Sequence, residues 1–160
     1  MKAGQSIDIH PLSPNRPLIL GGVNIPYPLG LAGHSDADVL VHAIAEAVIG
    51  ALGLGDLGTH FPDHLTVNKD RSSLDILAEV TKMMVDNGYS IGNVDSLVII
   101  EKPGLSPYIP QMKENIARVL GCPLTAVNVK ATRGEGLGFV GEEKGAVATA
   151  VVLLKGSEDE

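Results

Sequence analysis

The hydrophobic core of this protein has to be closed almost entirely by aliphatic side chains, because the sequence contains very few large rings. Its 160 residues include two Phe, three Tyr and no Trp, but 19 Gly. Glycine loses more backbone entropy on folding than any other residue, and a chain of this length buries a limited share of its surface. We therefore expect one domain that gains further burial by associating with other copies of itself.

The charge balance and the length of the apolar runs exclude two classes of partner. The 12 Lys and Arg residues are scattered and face 19 Asp and Glu, for a net charge of −7, so we expect no nucleic acid. The longest apolar run, residues 145–154, is too short for a membrane span.

The single Cys122 cannot form an internal disulfide, which favours a reducing compartment. We expect a cytoplasmic protein, or a plastid protein if a transit peptide has been removed.

Hydrophobic periodicity predicts a mixture of strands and helices. Strands are predicted at residues 3–10, 94–101, 125–132 and 144–154, with a short hairpin at residues 18–25 around Gly21 and Gly22. Helices are predicted from a polar turn capped by Ser35 or Asp36 to Leu52, from a capping box of Ser72 and Asp75 to residues 87–88, and from Pro110 to Gly121. The order predicts an α+β fold, a two-layer sandwich in which three helices pack on one face of a mixed four-stranded sheet. Residues 1–155 are predicted to form the domain, and residues 156–160 a disordered tail.

A carboxylate and an imidazole lie two residues apart in the first predicted strand. Asp8 and His10 share one face of that strand, opposite Ile7 and Ile9, and His42 of the first predicted helix could join them. One carboxylate and two imidazoles suit Zn²⁺ with a fourth position left open. The same donors also form the facial triad of non-haem iron enzymes, so an iron oxygenase or a zinc hydrolase is an alternative at this point.

Two glycine patterns, at residues 53–58 and 136–141, match the dinucleotide-binding fingerprint by spacing alone. The first follows a predicted helix and the second precedes a predicted strand, so neither would deliver a helix N-terminus to a pyrophosphate. A Rossmann site is therefore excluded. Two polar segments remain as candidates for chemistry: residues 34–38, whose backbone N–H groups could bind an anion, and the strand end at residues 130–135.

Taken together, these motifs resemble the 2-C-methyl-D-erythritol 2,4-cyclodiphosphate synthase family from about Gly4 to Leu154. The most specific matching segments are residues 8–10, 33–38 with His42, 55–58, 61–63, 92–95, 107–112, and 128–132 leading to Gly138 and Phe139. The resemblance implies a phosphorus–oxygen lyase of non-mevalonate isoprenoid biosynthesis, in which the 2-phosphate of 4-diphosphocytidyl-2-C-methyl-D-erythritol 2-phosphate attacks the β-phosphorus and expels CMP. It also implies a homotrimer with each active site between two subunits.

The resemblance also implies roles for individual residues. Asp8, His10 and His42 match zinc ligands, and Glu135 matches the carboxylate that holds Mg²⁺ or Mn²⁺ on the substrate diphosphate. His34 and Arg133 stand at the two catalytic positions beside the phosphates. The substrate-binding positions, which include the cytidine pocket at residues 100–106 and 131–133, are Ser35, Asp56, Leu57, Gly58, Phe61, Pro62, Asp63, His64, Leu65, Ile100, Glu101, Lys102, Pro103, Gly104, Leu105, Ser106, Ala131, Thr132, Gly134, Phe139 and Glu142.

Four of these neighbourhoods depart from the family pattern. Arg133 replaces a threonine, and Gly104 and Gly136 each replace a lysine, which changes the charges around the nucleotide. An alternative function is therefore a catalytically weakened, trimeric homologue that binds nucleotide or metal. Glu142 replaces an arginine through which some members bind an isoprenoid diphosphate on the trimer axis. We expect Glu142 to repel that group, so that such regulation is weak or absent.

Overall fold

A computed structural model describes residues 1–159 as a mixed sheet with helices on one face. The sheet strands are β1 (Lys2–Pro14), β4 (Leu29–Leu31), β5 (Tyr89–Ile99), β6 (Val127–Thr132) and β7 (Gly145–Gly156), and a separate hairpin joins β2 (Leu18–Leu20) to β3 (Val23–Ile25). The long helices are α1 (Val39–Leu52), α3 (Ser73–Asp86) and α4 (Ile109–Leu120). Single turns form α2 (Leu57–His60) and α5 (Gly138–Gly141), with 3-10 turns at Thr66–Asn68, Leu124–Ala126 and Ser157–Asp159.

The sheet has five strands rather than the predicted four, in the order β4–β1–β7–β5–β6. All neighbours are antiparallel except β5 and β6, which run parallel. The additional strand, β4, is three residues long and is defined only by its pairing with Leu12–Pro14 at the end of β1. So short a segment has no periodicity of its own, and the sequence could not reveal it.

The polar face of β1, not its apolar face, turns toward the helices. Ser6 is buried and donates a hydrogen bond of 2.6 Å to the carbonyl of Ala43 in α1. Ile7 and Ile9 point to the opposite side and are 57% and 55% exposed. The alternation correctly predicted two unlike faces, but the face packed against the helices is the polar one, which carries Asp8 and His10.

The core is aliphatic, as the scarcity of rings predicts. Its largest fully buried side chains are Leu18, Leu20, Ile25, Leu31, Leu40, Ile44, Ile49, Leu77, Met84, Ile100, Met112 and Ile116. Phe61 is the one aromatic side chain counted among the buried residues of the described chain. Alanines of β7 lie under α1, where small side chains let the helix approach the sheet.

The helix caps differ from those predicted. Asp38, not Ser35 or Asp36, caps α1 and accepts a hydrogen bond of 3.1 Å from the backbone N–H of Val41. Ser72 occupies the N-cap position of α3, but its side chain makes no capping bond. The carboxylate of Asp36 instead accepts the backbone N–H of Ser73 at 3.0 Å. A polar turn expected to serve one helix therefore serves two.

The C-terminal residues form regular structure as far as Asp159. Gly156 is the last residue of strand β7, and Ser157–Asp159 form a 3-10 turn directly after it. The sequence had placed these four residues in a disordered tail. Glu160, the last residue of that expected tail, lies outside the described residues. In residues 1–159 no helix combines the length and the apolar character that crossing a membrane requires.

Candidate active site

Two neighbouring elements bring one carboxylate and two imidazoles together. Asp8 and His10 project from the packed face of β1, and His42 projects from α1, which lies across that face. The Oδ2 atom of Asp8 lies 3.1 Å from Nδ1 of His10 and 3.4 Å from Nδ1 of His42. Ligand atoms of all three residues lie within 4.8 Å of one another, a spacing suited to one metal ion.

The electrostatics of this cluster also suit a cation. Asp8 Oδ2 and His10 Nδ1 are buried and have no hydrogen-bond partner among the described residues. Burial alone would raise the pKa of Asp8, but the nearby imidazoles of His10 and His42 lower that pKa to about 2. Burial opposes protonation of His42, yet the adjacent Asp8 carboxylate raises the pKa of its imidazole. A cation bound between these three residues would satisfy both buried atoms.

The far side of the His42 ring contacts two serine hydroxyls. Its Nε2 atom lies 2.8 Å from Oγ of Ser73 and 3.1 Å from Oγ of Ser35. The Ser73 hydroxyl also makes a short hydrogen bond to the carboxylate of Asp36. The ring is therefore held on both edges, by Asp8 on one side and by the serines on the other.

A cavity opens above the cluster and gathers most of the residues predicted to bind the phosphates and the methylerythritol unit. It is lined by Asp8, His10, Gly33, His34, Ser35, His42, Glu46, Leu57, Gly58, Phe61 and Asp63. Phe61 carries the guanidinium of Arg71 over its ring, 5.7 Å from the centroid. The cavity thus has the charged cluster of Asp8, His10 and His42 at its base and the ring of Phe61 on one side.

The loop after α2 is tied to the cavity by its backbone. The Nε2 atom of His34 lies 3.2 Å from the carbonyl of Leu65, and the backbone N–H of Asp70 donates to the carbonyl of His34 at 2.9 Å. Pro62 contributes its carbonyl to an internal bond of 2.9 Å from Asn68. His64 lies in the same loop and is exposed. The predicted loop residues therefore border the cavity even where they do not line it.

Asp56 is placed at the start of α2, beside the cavity. Its carboxylate accepts the backbone N–H of Thr59 at 2.9 Å and the Thr59 hydroxyl at 2.7 Å. These two bonds lower the pKa of Asp56. The carboxylate is ionised at neutral pH and is an acceptor for hydroxyl groups.

A second cleft lies at the ends of the parallel strands β5 and β6. It is lined by eight of the ten predicted cytidine-pocket residues: Ile100, Pro103, Gly104, Leu105, Ser106, Ala131, Thr132 and Arg133. No lining residue is shared with the first cavity. Within one chain the predicted site is therefore divided in two.

Several predicted residues line neither cavity. Glu101 accepts the backbone N–H of Gly134 at 2.8 Å, which holds the loop after β6 against the end of β5. The remaining residues of this kind are Lys102, 4.0 Å from Glu143; Glu135, exposed with a φ of 56°; Phe139, 45% exposed; and Glu142, 2.6 Å from Lys144. Their roles stay predictions.

Four residues at the site were not predicted from the sequence, and one of them is Gly33, which lines the first cavity. Glu46 also lines the first cavity. It lies four residues after His42 and therefore on the same face of the helix, which is the sequence pattern that could have identified it. Asp36 and Ser73 contact the site from behind His42. The sequence suggests only a helix-cap role for Asp36 and no role for Ser73. Because they lie 37 residues apart, no local pattern links them.

The chain is similar to known proteins over nearly its whole length. Residues 1–155 match the model of the YgbB family. The 2-C-methyl-D-erythritol 2,4-cyclodiphosphate synthase of Chlorobaculum tepidum is 51% identical over 155 residues, which covers 97% of this chain and 99% of that protein.

Two solved structures are also similar. The bifunctional IspDF protein of Campylobacter jejuni has a TM-score of 0.93 and 37% identity, with 97% of this chain and 42% of that longer chain covered. A CDP complex of the IspF protein of Plasmodium falciparum has a TM-score of 0.85 and 34% identity, covering 97% of this chain and 96% of that one.

Proposed function

This chain belongs to the YgbB family, and we propose that its first cavity is where it carries out the cyclodiphosphate synthase reaction. The enzyme is a phosphorus–oxygen lyase that forms 2-C-methyl-D-erythritol 2,4-cyclodiphosphate from 4-diphosphocytidyl-2-C-methyl-D-erythritol 2-phosphate. An oxygen of the 2-phosphate bonds to the β-phosphorus, and the bond from that phosphorus to the oxygen of CMP breaks. The observation that carries the placement is the convergence of Asp8, His10 and His42.

The converging atoms are proposed as ligands of Zn²⁺. Asp8 Oδ2 and His10 Nδ1 are buried without hydrogen bonds, and the Nδ1 atom of His42 completes a carboxylate and two-imidazole set. This donor set fits zinc with one position left for a phosphate oxygen. Zn²⁺ held by Asp8, His10 and His42 would supply a fixed positive charge that can orient and polarise the β-phosphate. We infer that the carboxylate of Glu135 would hold Mg²⁺ or Mn²⁺ on the substrate diphosphate.

The other residues of the cavity are proposed to position the reacting groups. Phosphoryl transfer requires little covalent catalysis by the protein, so the main task of the site is to align the attacking and leaving oxygens. His34 and Ser35 lie on the cavity wall and can donate hydrogen bonds to phosphate oxygens. Asp56, ionised and beside the cavity, and Gly58 are placed to hold the methylerythritol hydroxyls.

The second cleft is proposed to bind the cytidine end of the substrate, with the subunits arranged as a homotrimer. The two cavities share no lining residue, so a site made from one chain alone lacks one half. The outer face of the sheet carries Ile7, Ile9 and Val151, each more than half exposed. An apolar face of this kind suits burial against other copies, which would bring one chain's cleft to another chain's cavity.

Release of CMP from the substrate in the presence of Zn²⁺ and Mg²⁺ tests this proposal. We expect turnover by the wild type and a loss of at least about 100-fold in kcat/KM for Asp8→Asn, since a direct ligand matters more than its outer-shell partner. Asp86→Asn is the matched control, because Asp86 is exposed on α3 and pairs only with Lys82 in the ion pairs found.

The same measurement separates the proposal from its alternatives. A folded protein that binds CDP in calorimetry but releases no CMP would favour the weakened nucleotide-binding homologue, which Arg133, Gly104 and Gly136 motivate. Stoichiometric iron in elemental analysis, without zinc, would instead favour an iron site on the same three residues.

A further inference from the structure

The His42 ring has to adopt one particular neutral tautomer to act as a ligand. Its Nδ1 atom faces Asp8 at 3.4 Å, and its Nε2 atom faces away, toward α3. Only a ring nitrogen without hydrogen can coordinate a metal, so the hydrogen of the neutral ring must sit on Nε2. Whatever accepts that hydrogen selects the tautomer that binds metal.

Ser73 is the acceptor placed for this purpose. Its Oγ lies 2.8 Å from Nε2 of His42, and the side chain is fully buried at the first residue of α3. A hydroxyl has one hydrogen to donate and two lone pairs to accept with. The orientation of Ser73 therefore depends on where its single hydrogen goes.

Asp36 takes that hydrogen. An ionised carboxylate can only accept, and the Ser73 hydroxyl makes a short hydrogen bond to Asp36 Oδ1. Asp36 is itself held in place, since it also accepts the backbone N–H of Ser73 at 3.0 Å and of Asp38 at 3.1 Å. With its hydrogen committed to Asp36, Ser73 can only accept from Nε2–H of His42.

Ser35 is the weaker competitor for the same ring nitrogen. Its Oγ lies 3.1 Å from Nε2, and it already accepts the backbone N–H of Ala37 at 3.3 Å. Nε2 carries one hydrogen, and Ser73 is the closer acceptor. The hydroxyl hydrogen of Ser35 is then left for a ligand in the cavity that Ser35 lines.

We propose that Asp36 and Ser73 are positioning residues that lock His42 in the Nε2–H tautomer and so present Nδ1 to the metal. Neither residue belongs to the Asp8, His10 and His42 cluster or lines the first cavity, so both would act through the ring of His42. The inference rests on the proposed metal site. Outer-shell partners of this kind typically contribute about 10- to 100-fold to metal affinity.

Ser73→Ala and its neighbour Ser72→Ala form the first test. Ser72 is exposed, and its side chain makes no capping bond, so its variant is a matched control. We expect Ser73→Ala to weaken Zn²⁺ binding about 10- to 100-fold in a chelator competition and to change the visible spectrum of the Co²⁺-substituted protein. Ser72→Ala should match the wild type in both. Unchanged affinity and an unchanged spectrum in folded Ser73→Ala would overturn the proposal.

Nitrogen NMR of the His42 ring in the metal-free protein gives a second, independent test. Asp8→Ala removes the carboxylate acceptor that lies 3.4 Å from Nδ1 and would otherwise bind an Nδ1 hydrogen when no metal is present. At alkaline pH, where the imidazole is neutral, we expect Asp8→Ala to carry its hydrogen on Nε2 and the double variant Asp8→Ala with Asp36→Asn to shift the population toward Nδ1–H. The shift follows because an amide at position 36 can donate to Ser73 and free its hydroxyl to donate to Nε2. A ring with its hydrogen on Nδ1 in Asp8→Ala would overturn the proposal.

The two tests also distinguish failure of this inference from failure of the proposed function. A wild type that binds no Zn²⁺ would count against the proposed metal site, whereas the tautomer measurement needs no metal and still decides on Asp36 and Ser73. If Ser73→Ala does not fold, the tautomer in Asp8→Ala decides in the same way.

Discussion

Asp38 shows how one buried side chain joins three segments next to the site. It is 0% exposed, and its carboxylate accepts the backbone N–H groups of Gly21 at 3.0 Å, Gly22 at 2.7 Å and Val41 at 3.1 Å. These bonds tie the hairpin turn to the start of α1, four residues before His42. Burial is the dominant influence on this carboxyl group and raises its pKa to about 6.

The raised pKa of Asp38 predicts a pH-dependent difference between the wild type and Asp38→Asn. The folded protein holds the proton more tightly than the unfolded chain, where the pKa is near 3.8. The contribution of Asp38 to stability is therefore full below about pH 4 and is lost as the pH rises through about 6. We expect the free energy of unfolding of the wild type, minus that of the variant, to fall over this range and to stay level above it.

Urea unfolding of the two metal-free proteins at a series of pH values measures this difference, in which groups common to both cancel. Asp86→Asn, at an exposed position, should show a much flatter difference over the same range. A wild-type advantage that is constant between pH about 4 and 6 would contradict the raised pKa.

At the scale of residues, the cluster of Asp8, His10 and His42 could be predicted and the residues behind it could not. Asp8 and His10 follow from the two-residue repeat of a strand, which is a local property. The roles of Asp36 and Asp38 depend on where α3 and the hairpin lie in space. Two aspartates in the same polar turn look alike in sequence, but one caps α3 and the other caps α1.

At the scale of elements, the close contact between α1 and β1 is what brings His42 to Asp8. An added Cβ at Gly4 in β1 would lie 1.9 Å from the carbonyl oxygen of Ala47 in α1. No other residue type fits at that position without moving the helix away from the strand. The spacing of the Asp8, His10 and His42 cluster therefore depends on a glycine four residues before Asp8.

Gly4→Ala is predicted to harm both stability and metal binding. Overpacking of this kind costs about 1 to 3 kcal/mol, and displacement of α1 would move His42 away from Asp8. Gly50→Ala provides the contrast: Gly50 lies in α1 with no other atoms within 4 Å of an added Cβ, and alanine there should stabilise the helix by about 0.5 to 1 kcal/mol.

Thermal unfolding and Zn²⁺ titration of the two alanine variants measure these effects. We expect lower stability and weaker zinc binding for Gly4→Ala, and raised stability with unchanged zinc binding for Gly50→Ala. Wild-type zinc affinity in Gly4→Ala would show that the ligands do not depend on this contact.

The long elements could be predicted to within about five residues, and the hairpin of β2 and β3 was predicted as well, but the other short elements could not be. α1 ends at Leu52 as expected, and Gly53 follows it in the left-handed conformation. The turns α2 and α5 are four residues each and have too few positions for a helical period. β1 runs through Pro11 to Pro14 because its pairing passes from β7 to β4, which only the folded sheet defines.

At the scale of the whole molecule, the outer face of the sheet is predicted to hold the subunits together. Ile7→Glu would place a charge at its centre, and we expect sedimentation to show monomers with little CMP release. Val85→Glu is the matched control, because Val85 is 61% exposed on α3, in the helical layer. A trimer that survives Ile7→Glu would place the interface elsewhere.

The composition predicted association between copies, but not how the site is divided. Few rings and many glycines suggest a chain that gains by burying more surface, and this requires no knowledge of topology. The separation of the first cavity from the cleft at residues 100–106 follows from strand order, with β7 and β5 intervening between β1 and β6. Long-range pairing of this kind leaves no local mark in the sequence.

The division of the site also governs how damage would spread through a mixed assembly. In the proposed trimer each chain lends its cavity to one site and its cleft to another. A subunit defective in both halves would silence two of the three sites around it, whereas a subunit defective in one half would silence a single site. A harmful allele expressed beside a normal one would therefore be partly dominant, to a degree set by which cavity it alters.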